Sequence, residues 1–278
     1  MLSDIIEGMS EHIAIITVVY KNYTVLQDFL SSLEKQTSKK FHIYIADTSP
    51  EPKKITSKLP FTVIPTENNG YAHGINVGIQ AALEDGIKQF CAINSDTYFN
   101  ADFIHSVIHS IHLHPSSLLG GKIYYAPGFE FHKEKYSNEQ VGSILWYAGG
   151  TVDWRHAITG HRGVDEADLG HYDNAENTEF ITGCCMAFDK SVIDLVGLWD
   201  TEYFLYFEDA DYCERAKRNG VELIYDPSIV LWHKNAQSTG GAGSTLHQRV
   251  QKNAHLRFAL KYAPWRTKLH VIKNFFLR

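Results

Sequence analysis

The sequence predicts an α/β protein: an open, mostly parallel sheet flanked by helices, ending in a basic helical tail. Two observations carry this. Through residue 115, short apolar, β-branched runs alternate with segments of helical spacing, the order that right-handed β–α–β crossovers produce. Those runs are apolar at nearly every position rather than every second one, as strands covered on both faces of a parallel sheet must be.

Residues 12–20 (HIAIITVVY) read as the first buried strand. Over residues 23–36, Val25, Leu26, Phe29, Leu30 and Leu33 follow helical spacing. Residues 41–46 are a second strand, ending at Asp47-Thr48-Ser49-Pro50, and 61–65 a third. Residues 67–78 are rich in Asn and Gly and read as a loop, from which a helix continues over 79–83. Residues 90–93 are a fourth strand, ending at Asn94-Ser95-Asp96, with a helix over 101–114. The pattern then changes: residues 120–180 read as loop-rich, with Gly149-Gly150 and many His, Asp and aromatic residues. Residues 180–189 look like a strand around Gly183, and 191–196 a short helix. Residues 204–219 begin aromatic and become a helix that Gly220 can cap. Short strands over 221–225 and 229–232 and a Gly-rich loop over 235–244 follow. The remainder is helical and basic, with a break at Pro264.

The 278 residues carry 26 Lys and Arg against 32 Asp and Glu, a net charge of −6. This excludes general nucleic-acid binding, which needs a basic surface. The charge is divided: from Pro227 onward there are nine basic residues and no acidic one, so the preceding part carries 17 against 32. The tail, residues 246–278, reads as a solvated helical face, as a surface for anionic lipid head groups at about 1 kcal/mol per basic residue, or as a homodimer contact. Cys91, Cys184, Cys185 and Cys213 include no CxxC pair, and adjacent Cys184 and Cys185 are poor disulfide partners. With no disulfide framework and no secretory signal, the expected compartment is the cytoplasm, at the inner face of the plasma membrane if the tail binds lipid. No apolar run approaches the roughly 18 residues that span a bilayer.

In an open α/β sheet, ligands bind beyond the carboxyl ends of the strands, where Asp47, Asn69-Gly70 and Asp96 fall. Asp96 suits Mg2+ or Mn2+, which take oxygen ligands and keep positions open for phosphate; it suits a helix cap as well. Asp47 can accept the imide N–H of uracil or thymine, or close an Asx-turn with Thr48 and Ser49. In residues 68–78 (NNGYAHGINVG) the glycines allow close backbone approach and the helix N-terminus favours phosphate, although the spacing is neither the dinucleotide fingerprint nor the P-loop. Glu208, Asp209 and Asp211 crowd a helix start. That favours the macrodipole, and in an aromatic-walled pocket it can also raise one carboxylate's pKa and make it a general base. His233, after an apolar strand, is a ligand for Mn2+ or a structural residue.

Asn69-Gly70-Tyr71-Ala72-x-Gly74-x-Asn76-x-Gly78, then Asn94-Ser95-Asp96-Thr97, then Trp146-x-x-Gly149-Gly150 and Thr182-Gly183-Cys184-Cys185-Met186, occur in that order. Phe204-Leu205-Tyr206-Phe207-Glu208-Asp209-x-Asp211 follows, and then His233 with Ser238. Together these segments resemble family 2 glycosyltransferases over residues 12–240. The likeness is greatest to the bacterial branch that builds surface polysaccharides such as lipopolysaccharide and includes rhamnosyl- and galactofuranosyltransferases. The segment from Phe204 to Asp211 is the most specific match. Asn94-Ser95-Asp96 stands where this branch has its Asn-Pro-Asp form of the metal-binding Asp-x-Asp. Lys21 stands where the family often has Asn, and Cys184-Cys185 where small residues are usual.

The resemblance implies a glycosyltransferase A-type fold in residues 1–245, with a nucleotide-binding half (12–115) and an acceptor-side half (116–245). It implies an inverting transfer from a nucleoside-diphosphate sugar, dTDP-rhamnose or a UDP-hexose or UDP-galactofuranose, to a glycan or lipid-linked glycan. Thr17, Val18, Tyr20, Asp47, Asn69, Gly70, Asn76, Asn94, Ser95 and Asp96 would then bind the nucleotide sugar, with Asp47 reading the base. Asp96 and His233 would hold Mn2+ or Mg2+. Asp209 would be the base, and Glu208, Asp211, Trp146 and Gly183 would serve the acceptor. A sugar nucleotidyltransferase would instead need a Gly-rich loop with Arg and Lys after the first strand, where this chain has Tyr20-Lys21-Asn22-Tyr23. A degenerate nucleotide-binding or scaffold module is the non-enzymatic alternative, against which the intact Asp96, Asp209 and His233 argue.

Overall fold

The structure is a computed structural model that describes residues 12–234 and 245–277. Its first half holds β1 (Ile13–Val19), α1 (Leu26–Glu34), β2 (Phe41–Asp47), β3 (Phe61–Pro65), α2 (Tyr71–Glu84), β4 (Gln89–Ile93), the short β5 (Thr97–Phe99) and α3 (Phe103–Leu113). The second half holds β6 (Ser117–Tyr125), β7 (Leu145–Tyr147), the hairpin β8 (Gly150–Asp153) and β9 (Ile158–His161), β10 (Glu176–Asn177), β11 (Cys185–Asp189), α4 (Lys190–Val196), α5 (Glu208–Arg218) and β12 (Glu222–His233). The tail is α6 (Thr245–Tyr262) and α7 (Trp265–Leu277). The Gly-rich loop expected over 235–244, with Ser238, lies outside the described residues.

One sheet runs through both halves in the order β10-β12-β6-β11-β4-β1-β2-β3. Strands β3, β2, β1, β4, β6 and β12 point the same way, and β11 is inserted antiparallel between β4 and β6. Ile13 to Ile16 of β1 are fully buried, with α2 packed against the strand. Helix α1 buries Leu26, Phe29, Leu30 and Leu33, the apolar stripe of its spacing.

Four expectations change. The Asn- and Gly-rich segment is helical from Tyr71 onward. Its glycines are packing positions: a Cβ on Gly74 would lie 2.7 Å from Val18, and one on Gly78 2.3 Å from Ile16, so only glycine lets α2 lie this close to β1. Residues 117–125, the last six of which fall in the segment read as loop-rich, form a central strand. A Cβ on Gly121 would sit 2.4 Å from the carbonyl oxygen of Ile229. The two short strands over 221–232 are one strand bulged between Asp226 and Val230, which accommodates Pro227. Of residues 180–189, only Cys185–Asp189 is strand, and 181–184 turn above the sheet's carboxyl edge. The break at Pro264 holds, with α6 burying Phe258 and Ala259 and α7 burying Thr267 and Val271. The four cysteines are free and buried.

Candidate active site

The chain leaves β1 for β2 and β3 on one side and returns to β4 on the other, so a crevice opens at the carboxyl ends of β1 and β4. Asp47, Asn94-Ser95-Asp96 and His233 lie at the carboxyl ends of β2, β4 and β12. Antiparallel pairing of β5 with β12 sets His233 opposite Thr97, and the Lys234 N–H donates to the Asp96 carbonyl, 2.9 Å. This brings His233 Nε2 to 3.2 Å from Asp96 Oδ1, with both side chains almost wholly buried. Trp146 of β7 lies edge-on to His233, ring centres 4.5 Å apart, and to His161, 4.4 Å. His161 bonds through Nδ1 to the Trp146 carbonyl, and burial holds its pKa down at about 4, so its ring is neutral.

Of the acids at the start of α5, Asp209 is held next to this crevice by the 181–184 turn. Gly183 N–H and Ala210 N–H both donate to Asp209, each at 2.8 Å. Gly183 also accepts a bond from Tyr71 Oη, 2.9 Å. Its neighbour Cys184 accepts, through its carbonyl, the N–H of Asn94, 3.0 Å. The Gly183-Cys184 turn therefore bonds directly to Asp209 on one side and to the Asn94-Ser95-Asp96 turn on the other. Burial pushes the Asp209 carboxyl upward, and its two N–H donors oppose that. Burial first, and then the Asp209 charge, push Glu208 well above the usual carboxylate range. Glu208 Oε2 has no hydrogen-bond partner among the described residues. Of this pair, Asp209 ionises first, because it accepts N–H bonds from both Gly183 and Ala210, whereas burial and the Asp209 charge together disfavour a charge on Glu208. Just before it, Tyr206 and Phe207 adopt φ of 70° and 64°. Two successive non-glycine residues in the left-handed region cost of order 1–3 kcal/mol each and recur at functional sites.

The donor-side residues are placed unequally. Tyr20, just past the carboxyl end of β1, and Asn69, just before α2, are both exposed. Asp47 is fully buried: Oδ1 accepts the Ser49 N–H, 3.0 Å, closing the Asx-turn, and Oδ2 accepts Tyr23 Oη, 2.6 Å. A cleft of about 710 Å³ opens beside this turn, lined by Asn22, Tyr23, Asp28, Phe129 and Lys234 among others. Lys21 has φ 60° and bonds through its N–H to Ser49 Oγ, 2.8 Å. That left-handed angle is one Asn adopts readily, which accounts for the Asn often found here. Thr17 is buried within β1, and Val18 packs against α2.

Two expected contacts have other partners. Asn76 is bonded at both ends of its amide to the Trp199 backbone, 2.8 and 2.9 Å, and so ties α2 to the loop that enters α5. Asp211 is two residues from Asp209, on the opposite side of the helix. Arg215 Nε, 2.8 Å, Tyr262 Oη, 2.7 Å, and Lys261 all donate to it. These bonds tie the start of α5 to the end of α6. The roles of Tyr71, Trp199 and His161 were not legible in the sequence. Tyr71 stood inside a recognised motif, but nothing local showed its bond to Gly183.

Among the described residues, no three His, Cys, Asp or Glu side chains gather as a metal cage. Asp96 and His233 fit a lighter role. They converge in a buried crevice, and His233 Nδ1 has no hydrogen-bond partner among the described residues. A hard cation shared with a diphosphate needs only one or two protein ligands.

A family model described as glycosyl transferase family 2 matches residues 14–197, about two thirds of the chain. The chain is 24% identical over 276 residues to the N-acetylglucosaminyl-diphospho-decaprenol L-rhamnosyltransferase of Mycobacterium tuberculosis, covering 92% of this chain and 87% of that protein. It is 23% identical over 158 residues to the low-salt glycan biosynthesis hexosyltransferase Agl10 of Haloferax volcanii, covering 56% of this chain and 46% of that protein. A crystal structure of GalNAc-T7 with UDP, GalNAc and Mn2+ aligns with a TM-score of 0.64 at 12% identity, over 90% of this chain and 47% of that one. This chain thus spans about half the length of that protein, and the likeness between them is one of fold. The chain belongs to glycosyl transferase family 2: it is a glycosyltransferase of A-type fold, with a nucleotide-sugar donor, on the rhamnosyltransferase-like branch.

Proposed function

We propose that the chain transfers a deoxyhexose, with inversion, from dTDP-rhamnose to a hydroxyl of a lipid-linked or growing glycan. One observation carries the mechanism: the Gly183-Cys184 turn links Asp209 to the Asn94-Ser95-Asp96 turn, so a base and a phosphate-side carboxylate share one crevice. The likeness to a rhamnosyltransferase over most of both chains supports the donor sugar and a lipid-diphosphate acceptor. A UDP-hexose or UDP-galactofuranose is the other outcome of a donor screen.

In this reading the nucleotide lies over the ends of β1 and β4, with its base beside the Asp47–Tyr23 turn. The acceptor lies against Trp146 and Gly183, and Glu208, held protonated, donates a hydrogen bond to it. The Asp209 carboxylate removes the acceptor proton as the oxygen attacks the anomeric carbon and the bond to the nucleoside diphosphate breaks on the opposite face. A single base suffices, unlike the paired carboxylates of glycosidases. Mn2+ or Mg2+ bound at Asp96 and His233 would supply positive charge for the departing diphosphate.

The test is calorimetric titration of thymidine and uridine diphosphates, with and without Mn2+. Asp96→Ala is expected to weaken the Mn2+-dependent affinity about 100-fold. An unchanged Mn2+ dependence would remove Asp96 from the site. The pH profile gives a second prediction. A base whose pKa is raised stays protonated, and inactive, to higher pH than usual. The acid limb of kcat/KM is therefore expected above the ordinary Asp value of about 3.9, with activity rising as pH increases through it. A limb at or below that value would place the base elsewhere.

A further inference from the structure

Helix α7 has two apolar faces. One turns inward: Val271 is buried, and Thr267, also buried, donates to the Trp154 carbonyl, 2.8 Å. The other carries Trp265, Leu269 and Phe276, which are 66%, 58% and 78% exposed, with half-buried Ile272 between them. At 100° per residue these four side chains fall within an arc of about 60°, opposite Thr267 and Val271. Lys268 flanks the stripe on one side and Arg266 and Lys273 on the other, with Arg266 resting over the Trp265 ring, 5.3 Å. Neither α6 nor α7 contains an Asp or Glu. In a helix packed on a domain, the apolar stripe is normally the buried one. This helix has a buried stripe and, facing outward, a second one bordered by cations.

We propose that α7 lies in the interface of an anionic membrane, with Trp265, Leu269, Ile272 and Phe276 in the head-group and acyl boundary and Arg266, Lys268 and Lys273 on lipid phosphates. Aromatic residues at the interface and long basic side chains that reach up to head groups are how such helices bind. Charge favours lipid over a second copy of the chain, because a twofold pairing of this face would set its three cations near their own copies. Packed rings join this face to the site. Trp154 stacks on Phe258 of α6, ring centres 5.9 Å apart, and Phe258 packs on Phe207, 5.3 Å, which precedes Glu208 and Asp209. The inference goes beyond the transfer reaction and does not depend on it.

The test is flotation of the full chain with vesicles of phosphatidylcholine alone and of phosphatidylcholine mixed with phosphatidylglycerol. The chain is expected to float with the mixed vesicles only, and less at high salt. The double substitution Leu269→Glu, Phe276→Glu should lower partitioning by more than about tenfold, and Lys268→Gln or Lys273→Gln by about fivefold each. Nucleoside diphosphate binding should be unchanged in every variant, which shows that the fold is intact. Absence of wild-type flotation with anionic vesicles overturns the proposal, as does flotation indifferent to these substitutions. A wild-type dimer that the double substitution converts to a monomer, with no vesicle binding, would show instead that the face closes on a second copy.

Discussion

Asp209→Asn is expected to lower kcat by about 10²- to 10⁴-fold while leaving donor KM and nucleoside diphosphate affinity unchanged. Asn is isosteric and its one amide oxygen can still accept the Gly183 N–H, so the clasp between the α5 start and the 181–184 turn survives, while the proton acceptor and the local Ala210 N–H bond are lost. Glu208→Gln is the informative partner. Buried beside Asp209 and with one oxygen unpartnered among the described residues, Glu208 keeps its proton. Gln then resembles the native state, and kcat should stay within about tenfold of wild type, because no proton transfer is removed. The reverse ranking, with Glu208→Gln inactive and Asp209→Asn active, would exchange the two roles.

Gly70→Ala should cost about 3 kcal/mol or more of stability, roughly 6–12 °C in Tm, and lower kcat as well. Gly70 has φ 99°, which is strained for any residue with a Cβ. That Cβ would lie 2.2 Å from the Phe204 carbonyl oxygen and 2.6 Å from its Cα. Tyr71 N–H donates to the same carbonyl, 2.9 Å, so the start of α2 and the approach to Asp209 are held in direct contact. Moving Phe204 aside shifts the left-handed Tyr206-Phe207 pair and the base behind it, and a displacement of about 1 Å can cost 10²-fold in rate. Gly220→Ala is the control. Its φ is 78°, but open space surrounds the added methyl, so only the local strain of about 1 kcal/mol remains. Equal melting of the two variants with full activity in both would show that this close approach carries no weight.

The strands β1 to β4 and helices α1 and α3 were legible because their apolar period is unambiguous, and it also placed Asp47 and Asp96 at strand ends. Gly74 and Gly78 misled for one shared reason. A glycine that breaks local structure and one that allows two backbones to approach look alike until the approaching element is known. The Glu208-Asp209-x-Asp211 cluster was visible as three acids, but their division of labour was not. Helix geometry turns Asp211 toward Arg215, Lys261 and Tyr262, while Asp209 turns toward Gly183.

By itself the sequence determined the class of fold, the supply of acids and a histidine at the sheet's carboxyl edge, and the family, since all of these are properties of short segments. Only the tertiary structure decided which of those residues meet. Tyr71 reaches Gly183 across 112 positions, and Asn76 holds Trp199 across 123. β11 enters the sheet reversed between β4 and β6, which is what lowers the 181–184 turn onto the crevice. Hydrophobic periodicity is set by neighbours within a few turns of chain. Hydrogen bonds and shared burial between distant segments depend on how the sheet is assembled, and that order is written in no single stretch of residues.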